Sequence, residues 1–151
     1  MNPSPSIDCN RGSSAPPGQS LLAQVPYARY LGIEEVCHNG KPAFQMTFQN
    51  IHLGNPLLRT FHGGVLASFA EVVATVYMAR EQGLDRLPRC ASMTFDYLRP
   101  AFAGALQAVP TLVRGGKRIS TVSVQVFLAG KLVCAGRFIF ANSRVQASTT
   151  P

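Results

Sequence analysis

A long apolar stretch, residues 65–79, predicts the central element of this chain. It contains one charged side chain, Glu71, and apolar residues would occupy nearly every face of a helix. This pattern is typical of a helix that is enclosed on all sides. A carboxylate inside such a helix costs free energy unless it is paired or functional. Gly63 and Gly64 precede the stretch, and a helix start presents unpaired N–H donors.

Alternating apolar and polar residues predict strands on both sides of this helix. Before it, residues 33–38 and 41–50 are joined by an Asn-Gly pair, which favours a two-residue hairpin turn. After it, Pro110 interrupts one run and indicates an edge strand or a bulge, because proline donates no hydrogen bond. The strands predicted after the helix are residues 92–97, 106–114, 119–128 and 132–141.

These elements predict an α+β domain in which a long central helix is wrapped by an antiparallel sheet of five or six strands. One sheet covers one side of the helix, so we expect a second copy of the chain to cover the other side in an obligate homodimer. Residues 1–20, rich in Pro, Ser and Gly, and residues 143–151 predict flexible tails. The folded domain is therefore expected at residues 21–142.

The amino-acid composition limits the classes of molecule that the protein is expected to bind. At 151 residues the chain is expected to form one domain, and its net charge of +7 favours an anionic partner. Trp is absent and the basic residues are scattered, which favours a small phosphate-bearing molecule over nucleic acid. The four cysteines show neither C-x-x-C pairing nor metal-ligand spacing with the histidines. We therefore expect no metal and a reduced, cytoplasmic setting.

The sequence predicts neither a secretory signal nor a membrane span. Residues 1–18 lack the apolar core of a signal peptide. The apolar stretch falls short of the roughly 20 residues that a membrane-spanning helix requires, and it carries Glu71 near its middle. A buried helix is the preferred interpretation.

Two motifs resemble those of a known enzyme family. Residues 62–71 read HGGVLASFAE, with a carboxylate nine positions after the histidine, and residues 95–101 read FDYLRPA. In this order they resemble the hotdog-fold acyl-CoA thioesterases of the phenylacetate-degradation (PaaI-like) and 4-hydroxybenzoyl-CoA type, over about residues 22–141. The resemblance implies a hotdog fold paired as a dimer or a dimer of dimers. It also implies hydrolysis of an acyl-CoA to a carboxylic acid and free coenzyme A.

The resemblance implies roles for individual residues. Glu71 would activate water or attack the thioester itself, and both alternatives stay open. The N–H of Gly63 would polarise the thioester carbonyl, and Gly64 would allow the substrate to approach closely. Thr75 matches a hydroxyl that lies one turn beyond the carboxylate in the 4-hydroxybenzoyl-CoA subgroup.

Further candidates lie close to the motif. Related enzymes carry Asn or Gln six residues before the histidine, where this chain has Pro56, and Asn55 is the nearest substitute. His62 is expected to be the helix N-cap, a hydrogen-bond partner of the site or a general base. Ser68 lies within one turn of Glu71 and would orient it or a water, unless it serves only in packing.

The spacing of Gly63 and Glu71 favours a site that two subunits share. Eight residues of helix separate them, which is about 12 Å along the axis and about 80° around it. One carbonyl can hardly contact both, so the donor of one subunit should meet the carboxylate of the other. The alternative is a structural Glu71 that pairs with an arginine from a strand.

Coenzyme A carries phosphates, which arginine binds through paired hydrogen bonds. The alternative is that each basic residue lies solvated at a turn and binds no ligand. His38 and His52 are expected to be ordinary surface or loop residues. The candidate phosphate contacts are Arg59, Arg99, Arg114, Lys117 and Arg118.

The expected function is thioester hydrolysis without a cofactor beyond the acyl-CoA substrate. A hydroxyacyl dehydratase of the same fold and a non-catalytic acyl-CoA-binding protein are the alternatives. Aromatic and medium-chain acyl groups both fit the apolar residues expected around the site. The net positive charge is the one feature of the sequence that favours nucleic-acid binding.

Overall fold

A computed structural model of the protein describes residues 20–142. The predictions of flexible tails therefore lie outside the described residues, apart from Ser20. The helices are α1 (Pro26–Leu31) and α2 (Gly63–Glu81), with 3-10 turns at Leu22–Gln24 and Asn50–His52. The strands are β1 (Ile33–His38), β2 (Lys41–Thr47), β3 (Leu53–Asn55), β4 (Thr60–Phe61), β5 (Cys90–Tyr97), β6 (Ala105–Gly115), β7 (Ile119–Leu128) and β8 (Lys131–Ala141).

Six strands form one antiparallel sheet, in the order β1-β2-β6-β7-β8-β5, and β3 and β4 form a separate two-stranded ribbon. Helix α2 packs across one face of the large sheet and contacts β5, β6, β7 and β8. The prediction of a long helix against an antiparallel sheet of five or six strands is confirmed.

Two tight turns follow from the sequence. Asn39 and Gly40 join β1 to β2 with φ values of 51° and 72°, and Ala129 and Gly130 join β7 to β8 with 48° and 74°. Positive φ at both central residues matches the twist of the strands that such a turn connects, which is why Asn-Gly predicts a hairpin. The predicted first hairpin is confirmed.

The core lies between α2 and the sheet. Nine side chains of α2 are buried, and Val122, Val124 and Val126 of β7 are fully buried beneath them. Full burial of such an aliphatic or aromatic side chain stabilises the fold by roughly 1.5–3 kcal/mol. The three valines alternate along β7, and the face that they share is its core face.

Helix α2 is covered on one side only within one protomer, as expected for a helix that packs against a single sheet. Gly64 and Glu71 are exposed, and Ser68 and Thr75 are half-buried. These four residues, here called the open stripe, recur every three or four positions and so share one side of the helix. The sheet covers only the opposite side. Neither helix of the described part is long and apolar enough to cross a membrane.

Strand β6 is an interior strand between β2 and β7, although its proline indicated an edge or a bulge. The pairing with β2 ends at Phe44 and Ala108, so Pro110 lies beyond it and is paired with β7 alone. A shift in register between Leu112 and Arg114 supplies the irregularity. The prediction was wrong about the position of the strand and right about local irregularity.

The segment between β2 and α2 is ordered. It forms a 3-10 turn followed by the β3–β4 ribbon. The N–H of Phe61 donates to the carbonyl of Ala101 (2.8 Å), and the N–H of His62 donates to the carbonyl of His52 (2.8 Å). These bonds hold the start of α2 against the rest of the chain.

Candidate functional site

At the start of α2, one backbone N–H group has no hydrogen-bond acceptor among the described residues. His62 has extended backbone angles and is the N-cap, and its Nδ1 accepts the N–H of Gly64 at 3.0 Å. The carbonyl of His62 accepts the N–H groups of Val65 and Leu66. The N–H of Gly63 has no acceptor among residues 20–142. The positive end of the helix dipole therefore coincides with a free donor.

A depression of about 360 Å³ opens beside this donor. We call it the helix-mouth depression. Its walls combine polar groups with apolar and aromatic side chains, so they can contact both the charged and the uncharged parts of a ligand. Its lining includes Phe61, Gly63, Leu66, Tyr97, Leu98 and Arg99.

Tyr97 of β5 packs directly on the first glycine of the helix. Its hydroxyl donates to the carbonyl of Gly63 at 2.9 Å. A Cβ added to Gly63 would lie 3.2 Å from a ring carbon of Tyr97, and one added to Gly64 would lie 3.1 Å from Nδ1 of His62. Both positions therefore favour glycine, and at Gly63 the reason is close approach of an aromatic ring.

Glu71 lies two turns further along α2 and is exposed in the protomer. No residue of the described part forms an ion pair with it, since the ion pair of Arg80 joins Glu35. Burial raises the pKa of the Cys90 thiol, and the nearby carboxylate of Glu71 raises it further. The carboxylate thus lies near β5. The alternative role, in which Glu71 pairs with an arginine from a strand, lacks such an arginine among residues 20–142.

One continuous helix carries both Gly63 and Glu71. Their separation is therefore about 12 Å along the axis and about 80° around it, as the spacing predicted. The structure brings Gly63 together with Tyr97 and Arg99, and it does not bring Gly63 together with Glu71. A site that uses both residues needs two protomers.

Ser68 and Thr75 flank Glu71 on the open stripe, one turn before and one turn after it. Both are half-buried, so their hydroxyl groups lie within reach of whatever covers the stripe. This placement suits orientation of the carboxylate or of a water. Their roles stay predictions.

Asn55 has a local structural role in this protomer. Its side-chain oxygen accepts the N–H groups of Leu57 (2.9 Å) and Leu58 (3.1 Å) and so closes the turn between β3 and β4. This is the usual asparagine turn, in which the side chain replaces a backbone acceptor. A catalytic role for Asn55 stays a prediction.

Three of the predicted phosphate contacts come together at the turn between β6 and β7. Arg114, Lys117 and Arg118 line a second depression, of about 380 Å³; we call these three residues the basic turn. The backbone N–H of Asn142 donates to the carbonyl of Arg118 at 2.9 Å, and its side chain donates to the carbonyl of Gly116. The turn is therefore braced by the end of β8.

The other two predicted phosphate contacts lie elsewhere. Arg99 lines the helix-mouth depression, and its Nη1 donates to the carbonyl of Leu132 at 2.8 Å. Arg59 lies in the β3–β4 connection, with its guanidinium 5.8 Å from the ring centroid of Phe48. The five basic residues thus do not form one cluster.

His52 was wrongly expected to be a surface or loop residue, because it is fully buried. Its Nδ1 accepts the N–H of Gln49 and its Nε2 donates to the carbonyl of Leu31, both at 3.0 Å. Its ring stacks on Phe61 at 5.5 Å. Burial lowers the pKa of His52, and the bond to Leu31 partly offsets this. Its carbonyl accepts the N–H of His62, so it supports the helix N-terminus.

One sequence feature could have indicated this role. Gln49 and His52 are three residues apart and form a reciprocal capping box around the 3-10 turn. The usual signature places Glu or Gln at the later position, so a histidine there is easily overlooked. His38, in contrast, is exposed as expected.

Within residues 20–142, no group of three or more His, Cys, Asp and Glu side chains is placed to hold a metal ion. Cys37, Cys90 and Cys134 are free thiols, and Cys9 lies outside the described residues. Burial raises the pKa of Cys134 to about 12, so this thiol stays protonated in the core.

The sequence matches the family model of the thioesterase superfamily over residues 58–135. Among characterised proteins it is 26% identical over 133 residues to the medium/long-chain acyl-CoA thioesterase YigI of Salmonella typhimurium. That match covers 78% of this chain and 85% of YigI. The region that matches the family model contains α2 with its two glycines and Glu71.

Solved structures show the same arrangement of helix and sheet. The PaaI protein of the Escherichia coli phenylacetic acid degradation operon has a TM-score of 0.64 at 28% identity, covering 76% of this chain and 86% of that one. A mutant of the phenylacetic acid degradation protein PaaI from Thermus thermophilus has a TM-score of 0.68 at 26% identity. It covers 79% of this chain and 100% of its own.

Proposed function

This chain belongs to the thioesterase superfamily and has its hotdog fold, and we propose that it is an acyl-CoA thioesterase. Water adds to the thioester carbonyl, the carbon–sulfur bond breaks, and the products are a carboxylic acid and free coenzyme A. The reaction needs an oxyanion donor and a group that activates or replaces water. The assignments below concern these two requirements and the substrate.

The observation that carries the proposal is the free N–H of Gly63 at the start of α2. It has no acceptor among the described residues, it lines the helix-mouth depression, and the helix dipole makes its surroundings positive. A donor held in this way stabilises the negative charge that develops on the carbonyl oxygen. We assign Gly63 as the oxyanion donor, with Gly64 and His62 maintaining its geometry.

Glu71 supplies the carboxylate in this proposal, either as the base that activates water or as the nucleophile. It is exposed in the protomer and free of ion pairs within residues 20–142, so it is available to a substrate. Thr75 and Ser68 then orient it from the neighbouring turns of the open stripe. Because Gly63 is about 12 Å away along the same helix, the carboxylate acts on a thioester held by the donor of a second protomer.

The surface of the protomer supports such a homodimer. The open stripe leaves one side of α2 uncovered, and β5 is a sheet edge that pairs only with β8 among the described residues. An unpaired edge readily adds a strand from another chain. Met93 and Tyr97 on β5 are exposed by 39% and 57%. We propose that two protomers meet along these surfaces, and that dimers can pair further into tetramers.

The distribution of positive charge supports coenzyme A as the leaving group. Arg99 lies at the helix-mouth depression, and the basic turn offers three positive side chains around a depression of its own. Phosphates are bound well by arginine, and the net charge of +7 attracts an anionic substrate. We assign Arg99 and the basic turn to the coenzyme, with Arg59 as a further candidate.

The acyl group is proposed to be a chain of medium or greater length. The walls of the helix-mouth depression include the apolar side chains of Phe61, Leu66 and Leu98. The relative YigI is named for medium- and long-chain acyl-CoA substrates. Aromatic acyl groups are the competing class, since the PaaI neighbours belong to phenylacetic acid degradation.

A hydrolysis assay tests this proposal. Acetyl-, octanoyl-, palmitoyl-, phenylacetyl- and 4-hydroxybenzoyl-CoA are incubated with the protein, and the released thiol is measured against protein carrying Glu71→Gln. We expect turnover of octanoyl- or palmitoyl-CoA that the variant lacks. Absence of thiol release from every thioester would overturn the proposal, and hydration of crotonyl-CoA would indicate the dehydratase alternative.

A further inference from the structure

Two consecutive glycines make the proposed oxyanion donor flexible by nature. Gly63 and Gly64 lack the side chains that limit backbone rotation, so their peptide groups can adopt many orientations. An oxyanion donor works only if its N–H already points to the place where negative charge will develop. Contacts from elsewhere in the chain must therefore fix these two residues.

Hydrogen bonds hold both peptide groups that meet at the Cα of Gly63. In the preceding group, the carbonyl of His62 accepts the N–H of Val65 at 3.0 Å. In the following group, the carbonyl of Gly63 accepts the hydroxyl of Tyr97 at 2.9 Å, and the N–H of Gly64 donates to the ring of His62 at 3.0 Å. Helix geometry and the N-cap account for two of these bonds, and Tyr97 supplies the third.

Tyr97 is itself held by the large sheet. It is paired with Cys134 of β8, and its ring lies edge-on against Phe95 at 4.9 Å. The same ring would be 3.2 Å from a Cβ at Gly63, so it packs closely against this residue. A rigid strand is thereby linked to the first residue of α2, and sites supported by such elements are held more accurately than sites on loops.

We propose that Tyr97 is a positioning residue, whose hydroxyl and ring fix the orientation of the Gly63 N–H for oxyanion stabilisation. The proposal rests on the proposed thioesterase function and deepens it. Tyr97 acts through Gly63 and neither gives nor takes a proton in the reaction. Its effect should therefore fall on kcat, because the donor interaction strengthens as charge develops, and much less on substrate binding.

The test compares Tyr97→Phe with Tyr30→Phe, which removes a hydroxyl from an exposed tyrosine on α1. Loss of one hydrogen bond of about 1 kcal/mol corresponds to a reduction of kcat by roughly five- to tenfold. We expect this reduction for Tyr97→Phe, with KM changed less than about twofold, and wild-type kinetics for Tyr30→Phe. An unchanged kcat, or a rise in KM alone, would overturn the positioning role.

A second readout does not depend on activity. In ¹H–¹⁵N spectra, the amide signals of Gly63 and Gly64 should shift in Tyr97→Phe and stay in place in Tyr30→Phe. Unshifted signals in both variants would overturn the inference even if hydrolysis is slower. Wild-type protein that cleaves no thioester would instead overturn the proposed function, and the glycine signals would still show whether Tyr97 holds this backbone.

Discussion

The imidazole of His62 accepts the N–H of Gly64 through Nδ1 at 3.0 Å. This bond engages one of the two glycine donors at the start of α2 and leaves the N–H of Gly63, a residue that lines the helix-mouth depression, without an acceptor among residues 20–142. It also requires an unprotonated Nδ1. His62 is therefore a helix cap in this structure, and the chemistry is assigned to Gly63 and Glu71.

Substitution of His62 separates capping from catalysis. Asn is among the best N-cap residues and Ala among the poor ones, with a difference of about 1 kcal/mol. We expect His62→Asn to keep the free energy of unfolding within about 0.5 kcal/mol of wild type and to keep most of the activity. His62→Ala should lose about 1 kcal/mol in urea denaturation. Complete inactivity of a fully folded His62→Asn would indicate that the imidazole is a general base.

Glu71→Gln tests the carboxylate while keeping its shape. General base catalysis contributes roughly 10²–10⁴-fold, so kcat for the best acyl-CoA substrate should fall by at least about 100-fold. The free energy of unfolding should change by less than about 0.5 kcal/mol, because Glu71 is exposed in the protomer and unpaired within the described residues. Glu81→Gln is the matched control, since it removes an exposed carboxylate from the same helix. Equal activity of the two variants would contradict the assignment.

Stability should depend on pH through His52. Burial lowers its pKa below the ordinary value of 6.5, so the unfolded chain binds this proton more readily than the folded chain. The contribution of His52 is therefore complete above about pH 6.5 and is lost as the pH falls through the folded-state pKa. Urea denaturation from about pH 7.5 to 5 should show a weaker pH dependence for His52→Gln than for wild type. The exposed His38→Gln should follow wild type, and parallel curves for all three proteins would contradict the role of His52.

The basic turn should affect substrates that carry the nucleotide part of coenzyme A. We expect Arg114→Gln/Arg118→Gln to raise KM for acyl-CoA about tenfold, which corresponds to about 1.4 kcal/mol. KM for the same acyl group on pantetheine, which lacks the nucleotide phosphates, should stay unchanged. Arg29→Gln/Arg86→Gln removes two exposed charges elsewhere and controls for net charge. An equal rise in KM for both substrates would contradict direct phosphate binding.

Local sequence patterns predicted the main elements of the fold because those elements depend on local chemistry. The apolar stretch around Glu71 predicted α2, and Asn39 with Gly40 predicted the first hairpin. Pro110 was misleading, since the pairing between β2 and β6 ends at Phe44 and Ala108 and requires no donor from Pro110 on that side. An interior strand can therefore carry a proline where its pairing with one neighbour has ended.

The parts of the site that were missed depend on contacts between distant segments. The buried ring of His52 bonds to Leu31, and Tyr97 bonds to Gly63 across 34 positions of sequence. No periodicity in the sequence reports such pairs. The open stripe, in contrast, follows from the sequence, because one sheet can cover only one side of an apolar helix.

The central claim is that the donor and the carboxylate of one site come from different protomers. Gly63→Pro is designed to remove the donor, because proline has no N–H and is favoured at the first helical position. The preceding residue, His62, already has the extended backbone that proline requires (φ −67°, ψ 136°). Gly63→Ala is its control, since it adds a Cβ beside Tyr97 and keeps the N–H.

Mixed dimers of Gly63→Pro and Glu71→Gln provide the most direct measurement. The two inactive variants are unfolded together, refolded and assayed with the best acyl-CoA substrate. If sites are shared, half of the dimers are mixed and each has one intact site, so about a quarter of wild-type activity should return. No activity above that of the separate variants, in a sample shown to contain mixed dimers, would contradict a site shared between protomers.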